Sequence, residues 1–232
     1  MAESEHRADD DLGRILMVIA RALQAAPDVD STLEAIVKSA VEHVEGAEHA
    51  GISLVEPRQR IRTVAPTAEV VVTIDHMQYR TGQGPCVDAI SEHRIYRTGD
   101  LAVERRWPEF APAAAATGMR SMLAYRLFDT STTLGSLNLY SHDLDAFSDQ
   151  TERDGQLFAT HAAIALAGAQ TEARLHAALE HRDVIGMAKG ILMQRHGIDA
   201  IHAFRMLVES SQASNVKLHR VASWLIEHHS EL

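Results

Sequence analysis

The sequence predicts an α+β chain of two modules, antiparallel strands interleaved with helices and then a purely helical unit. Three observations carry that reading. Residues 120–142, RSMLAYRLFDTSTTLGSLNLYSH, alternate apolar and polar positions on both sides of a short polar turn, which is a hairpin pattern. Apolar residues at three- and four-residue spacing form stripes before and after that hairpin. From about residue 172 to 232 every apolar stripe has the helical period.

Residues 1–11 are polar and without periodicity, and read as a disordered tail. Leu12, Ile15, Leu16, Ile19 and Leu23 form a helical stripe. A second helix, capped by Asp30 or Ser31, holds Leu33, Ile36, Val37, Ala40, Val41 and Val44 inside and ends at Gly46. HAGISLV at 49–55, IRTV at 61–64 and EVVVTID at 69–75 carry strand signals. Gly82-Gln83-Gly84-Pro85 is a tight turn ahead of a short helix that starts near Pro85. A Gly-x-Gly turn at a helix start can hold a phosphate. The Lys-Ser/Thr of a phosphate loop and the third glycine of a dinucleotide fingerprint are both missing, which favours a structural turn. RIYRTGDL at 94–101 is a further short strand and turn, and Trp107-Pro108-Glu109-Phe110 opens an alanine-rich helix that Gly118 ends. In the hairpin, Leu123, Tyr125 and Leu127 share one face, and Leu137 and Leu139 alternate on the returning strand. Ser148 or Asp149 then caps a long helix in which Leu157, Phe158, Ala162, Ile164, Ala165 and Ala169 recur.

No breaker-rich linker follows. AAIALAGAQTEARLHAALEHRD at 162–183 is interrupted by Gly168 alone, so the closing helix of the first module is expected to run nearly unbroken into the second. Its apolar Ile164, Leu166, Leu175, Ala178 and Leu179 offer a seam for a second copy of the chain. Domain bounds of 12–171 and 172–232 follow.

The stretch from Leu179 to His196 has an unusual helical face. Val184, Ile185, Ala188, Ile191 and Leu192 fall on one side, and Arg182, Gly186, Lys189, Gly190 and Met193 on the other. Each glycine in a helix interior costs roughly 1 kcal/mol relative to alanine. Glycines facing away from their own core make sense where another backbone comes close, and the two cations suggest a partner carrying phosphates. The plainer alternative is a tolerated kink or close helix packing. Gly197 supplies a C-cap and Asp199 an N-cap for a second helix, with Ala200, Ala203, Phe204 and Leu207 on one face. Asn215 is placed to cap a third, with Leu218, Val221, Ala222, Leu225 and Ile226 on one face and Lys217 and Arg220 pointing the other way.

Arg182-Asp183-Val184-Ile185-Gly186, Ala188-Lys189-Gly190-Ile191-Leu192-Met193, Ala203-Phe204, Leu207 and Asn215-Val216-Lys217-Leu218, with Ala222 one turn on, keep the order and spacing of the ANTAR domain, which the segment from about Leu175 onward resembles. Asp199 stands where that family often has Ser or Thr. In the first module, Gly82-Gln83-Gly84-Pro85-Cys86, Leu134-Gly135-Ser136-Leu137-Asn138-Leu139-Tyr140 and Phe147-Ser148 leading into Phe158-Ala159 resemble the GAF sensor domain. The whole looks like the GAF-ANTAR antitermination regulators of actinobacteria. The resemblance implies a GAF sheet flanked by helices, joined by a long helix to a three-helix ANTAR domain. It also implies a sensor pocket between one sheet face and the connections from about Asp75 to Gly118. The implied target is RNA, as tandem hairpin loops in nascent mRNA, which present unstacked bases to a helical surface. Arg182, Lys189, Lys217 and Arg220 would then meet phosphates, Gly186 and Gly190 would admit the RNA, and Met193 would face a splayed base. A homodimer would engage the paired hairpins.

Charge sharpens the choice. The formal net charge is −10. From Glu180 onward six Lys/Arg balance six Asp/Glu, so the acidic excess lies in the preceding residues. Such a chain is not a general nucleic-acid binder, and its affinity must come from a few placed contacts. A DNA-binding module is disfavoured by the lack of helix-turn-helix spacing, and a pure dimerisation platform is the remaining alternative. The lone Cys86 excludes an internal disulfide framework and fits a reducing cytosol. The acidic N-terminus and the lack of a long apolar run predict a cytoplasmic protein with no membrane partner. No nucleophile elbow, zinc spacing or phosphate loop supports an enzyme, and no cofactor or metal is identified, although an unknown small molecule can occupy the GAF pocket. Cys86 has two readings. Beside Gly84-Pro85 at a helix start it is a candidate for ligand or redox sensing; the plainer reading is a small buried apolar residue.

Overall fold

The computed structural model describes residues 26, 28–92, 95–129 and 132–229. The expected tail at 1–11 and the stripe from Leu12 to Leu23 lie outside them. The chain divides into two compact units, Met1–Gln170 and Thr171–Leu232.

In the first unit, α1 (Val29–His43) precedes β1 (His49–Glu56), a 3-10 turn and β2 (Arg60–Val64). α2 (Glu69–Thr81), α3 (Pro85–Glu92), β3 (Ile95–Thr98) and α4 (Ala111–Ala115) follow, then the hairpin of β4 (Ser121–Asp129) and β5 (Thr132–Ser141). α5 (Asp149–His196) runs past the division at residue 170. The five strands form one antiparallel sheet in the order β2-β1-β5-β4-β3. Pleating sends Ile52, Leu123, Tyr125, Leu137 and Leu139 to one face, where they bury against Leu33, Ile36, Val37, Phe158 and Ala162. The other face meets Val71, Ile74, Leu101, Trp107, Phe110 and Met119. Each large apolar side chain sealed this way contributes roughly 1.5–3 kcal/mol.

Several local expectations need correction. The segment at 69–75 is helical, as the first half of α2. Its β-branched Val70, Val71 and Val72 favour a strand, but its buried positions are Val71, Ile74, Asp75 and Gln78, the spacing of one helix face. Packing on the sheet outweighs the local preference. The cap of α1 is Asp28, whose carboxylate accepts from Ser31 N–H at 2.8 Å. Ser148, not Asp149, caps α5, its hydroxyl accepting from Thr151 N–H at 3.0 Å. Within α5 the expected stripe is narrower: Phe158 and Ala162 are buried, but Leu157 and Ile164 are 45% and 64% exposed. Leu166 is fully buried in the first core and cannot form a seam, whereas Leu175 and Leu179 are exposed.

In the second unit, the end of α5 is followed by α6 (Ala200–Ser214) and α7 (Leu218–His228). Ala188, Leu192, Ala203, Leu207, Ala222 and Leu225 make its core. Asp199 caps α6 as expected, accepting from the N–H groups of Ile201 and His202. Asn215 does not cap α7. It sits at φ 54° and closes α6 in the left-handed conformation that asparagine tolerates.

Candidate functional site

The second unit presents an open groove of about 890 Å³ along α5, lined by Arg182, Gly186, Lys189, His181, Met187 and Phe204 among others. The helical period that buries Ala188 and Leu192 turns Arg182, Gly186 and Gly190 outward. A Cβ added at Gly186 or at Gly190 meets no atom within 4 Å, so the packing of this chain gives no reason for either glycine. Of the residues singled out from sequence, Arg182, Gly186 and Lys189 line the groove itself. Gly190 and Met193 are exposed further along the same helix. Lys217 and Arg220 are exposed at the start of α7. The ring of His219, which lies between them in sequence, stacks on His181 with centroids 3.8 Å apart. His219 is held below its usual range by burial first, then by the charges of His181, Lys217 and Arg220. His181 lines the groove, so the stack sets the first turn of α7 beside it.

Sequence reading missed Phe204. It was placed with Ala203 and Leu207 on the buried face, but it is 43% exposed and lies against the groove. A wheel does not resolve a position at the edge of the apolar stripe. His181 carries no signal in the sequence, because its partner is far off in the chain and no local spacing marks the stack.

The first unit holds a different arrangement where the sensor pocket was expected. Asp75 is fully buried on α2 and faces the polar positions of the sheet. Its Oδ2 accepts from Thr63 Oγ1 at 2.9 Å, and its Oδ1 accepts from Gln78 Nε2 at 3.1 Å and from the Tyr140 hydroxyl. Ser53, Tyr79 and Asn138 stand at 3.4–3.5 Å. No Lys, Arg or His is among these partners. Burial accordingly pushes the carboxyl up to about 6, against the pull of the hydrogen bonds from Tyr140, Thr63, Gln78 and Ser53. Gln78 also accepts the Cys86 N–H through Oε1 at 2.9 Å. It approaches Gly84 so closely that a Cβ there would lie 2.4 Å from Oε1, and Gly84 has φ +130°. The Gly-Gln-Gly-Pro turn is thus spent on packing around Gln78.

Cys86 belongs to the same cluster. It is fully buried and donates its thiol hydrogen to Ser53 Oγ at 3.0 Å. Burial first, then the charge of Asp75, pushes the thiol far above its usual range, the reverse of an activated thiolate. Of the two readings of Cys86, this burial and the raised thiol favour the small buried residue over the ligand- or redox-sensing one.

An antiparallel sheet between two helical layers, then three helices bearing a groove of glycine and cations, make a chain of two modules. Residues 26–167 match the GAF domain model and residues 173–226 the ANTAR domain model. The chain belongs to the GAF-ANTAR regulators, which join a sensory domain to an RNA-binding antitermination module. Solved structures agree on the first fold. The GAF domain of a phosphoenolpyruvate-protein phosphotransferase from Coxiella burnetii has a TM-score of 0.55 at 15% identity, covering 71% of this chain and 97% of its own. The corresponding Acinetobacter domain gives 0.52 at 12%, covering 70% and 97%. Free methionine-R-sulfoxide reductase from Neisseria meningitidis, in complex with its substrate, gives 0.52 at 17%, covering 69% and 89%. These likenesses concern the fold alone. A comparison with curated proteins gives no match. Among the described residues no helix is long and apolar enough to cross a membrane.

Proposed function

We propose that the chain is a cytoplasmic, signal-responsive antitermination factor that binds tandem hairpin loops in nascent mRNA as a homodimer, without catalysis. The observation that carries this reading is the open space over Gly186 and Gly190 beside Arg182 and Lys189. Helix backbone left bare next to cations suits a phosphate backbone at close range. Lys217 and Arg220 extend the basic edge, and Met193 and Phe204 offer apolar surface to unstacked loop bases. Leu175 and Leu179, exposed and one turn apart on α5, are the apolar pair through which two copies meet. Pairing makes the second hairpin's capture intramolecular and raises affinity without new contacts. The GAF domain is the module through which an unknown small-molecule signal acts.

Filter binding of the full chain with a tandem-hairpin RNA and a duplex DNA tests this. RNA is expected to bind and DNA not. Arg182→Ala and Lys189→Ala are each expected to weaken RNA binding and to flatten the log-log salt dependence by about 0.7–0.9 per lost contact. Equal binding of the duplex would favour a DNA regulator; no binding of either would leave the helices as an interaction platform.

A further inference from the structure

Glu48, His49 and His142 bring two imidazoles and a carboxylate together at one end of the GAF sheet, with one ligand atom from each lying within 4.8 Å of the others. Their positions follow from the strand ladder. His49 opens β1 opposite Tyr140 of β5, Glu48 donates its N–H to the Tyr140 carbonyl at 3.1 Å, and His142 directly follows the end of β5. The backbone under all three is therefore fixed before any ligand arrives.

We infer that Glu48, His49 and His142 bind one divalent zinc ion. The donor set is the first argument. Two neutral imidazoles with one carboxylate suit zinc and its late first-row neighbours, whereas magnesium and calcium take oxygen sets. The orientation of Glu48 is the second. Its Oε1 accepts from the Ser141 hydroxyl at 2.8 Å and from the His142 N–H at 3.0 Å, which holds the carboxylate in place. That leaves Oε2 facing His142 Nδ1 at 2.7 Å. Such an anchored ligand is the outer-shell support that metal sites need. His49 stands edge-on to His142 with centroids 5.8 Å apart, so the rings share one approach without stacking shut. Around a tetrahedral zinc with bonds of about 2.0–2.2 Å, ligand atoms lie roughly 3.3 Å apart. His49 and His142 close onto the ion by side-chain rotation while Glu48 stays anchored, and the His142 side chain, 49% exposed, has the room for it. Zinc takes the place of the shared hydrogen between His142 and Glu48, and any proton on that pair leaves to solvent. A water completes the fourth position.

Zinc titration of the full chain against a chromogenic chelator tests the assignment, since the chain's other histidines give only weaker background uptake. The expected result is one tight equivalent per chain, unaffected by excess magnesium. His142→Ala and Glu48→Gln should each abolish it. Ser141→Ala, which removes the outer-shell donor and no ligand atom, should weaken it by roughly 10–100-fold. His202→Ala, an exposed histidine paired with Asp199 in the other unit, should bind as wild type. Glu48→Gln keeps the side chain's size, and so keeps the test open if circular dichroism shows that His142→Ala misfolds. No tight equivalent in the wild type would overturn the inference, as would its persistence in Glu48→Gln.

Discussion

Replacing the two exposed glycines of α5, Gly186 in the groove and Gly190 one turn on, by alanine separates a binding role from a packing role. Gly186 and Gly190 lie inside α5, and a methyl group at either position meets no neighbouring atom within 4 Å. The substitutions therefore cost nothing in contacts, and each gains helix propensity of about 0.8–1.0 kcal/mol. Together the gain is about 2 kcal/mol, felt by a unit spanning Thr171–Leu232. For a domain of that size each kcal/mol raises the melting temperature by roughly 4–8 °C. If the groove takes RNA, the same two methyl groups stand between helix and phosphate backbone, and affinity should fall at least about tenfold, or 1.4 kcal/mol. The assay is a thermal melt followed at a helical wavelength, beside filter binding of the tandem-hairpin RNA. A more stable protein that binds RNA as well as wild type would refute the assignment of the face. A less stable one would show that the glycines serve packing after all.

Phe204→Ala should weaken binding of hairpin loops by about 1–3 kcal/mol, the worth of one base stack, yet shift the melt little because Phe204 lies outside the second core; unchanged affinity would remove it from the site. Asp75 titrates at about 6 in the fold against an ordinary 3.8, so the folded state favours the protonated carboxyl. The stability it contributes is full below about pH 4 and lost as pH rises through about 6, some 3 kcal/mol in all. Denaturant titrations between these limits should show that loss in the wild type and not in Asp75→Asn, whose amide the hydroxyls of Thr63, Ser53 and Tyr79 can turn to meet; equal slopes would sink the argument. Inserting two residues near Leu175 rotates everything downstream on α5 by about 200°, whereas seven nearly restore the phase. A reporter should lose antitermination with the first insertion and keep it with the second, and equal activity would make the helix a tether. Light scattering should find a dimer, and a chain that stays monomeric on RNA would rule out paired capture.

Much of the fold is legible in the sequence because local chemistry and packing agree there. Asp199 and Gly197 bracket a helix boundary with the cap residues that boundary requires, and the hairpin's alternation matches the sheet faces that Leu123 and Leu139 occupy. The reading fails where the two disagree. The valines of α2 favour extended backbone, but the sheet accepts them only in helical spacing. Asn215 suits either side of a turn, and only the left-handed closure of α6 decides which. The groove was visible in part, since glycines beside cations are a local signal. Phe204, the His181–His219 stack and the Asp75 cluster were not, because each is assembled from segments distant in sequence.

The amide of Gln78 has a polarity that the cluster fixes. Its nitrogen end faces the Asp75 carboxylate, which when ionised only accepts, and its oxygen end must face the Cys86 N–H, which only donates. A flipped amide would set acceptor against acceptor and donor against donor. The side chain is thus a keyed link between the middle of α2 and the first turn of α3. Glutamate at this position would break the key at its nitrogen end alone, and leucine would break both ends. The two substitutions distinguish a link that carries a signal from one that only fills space.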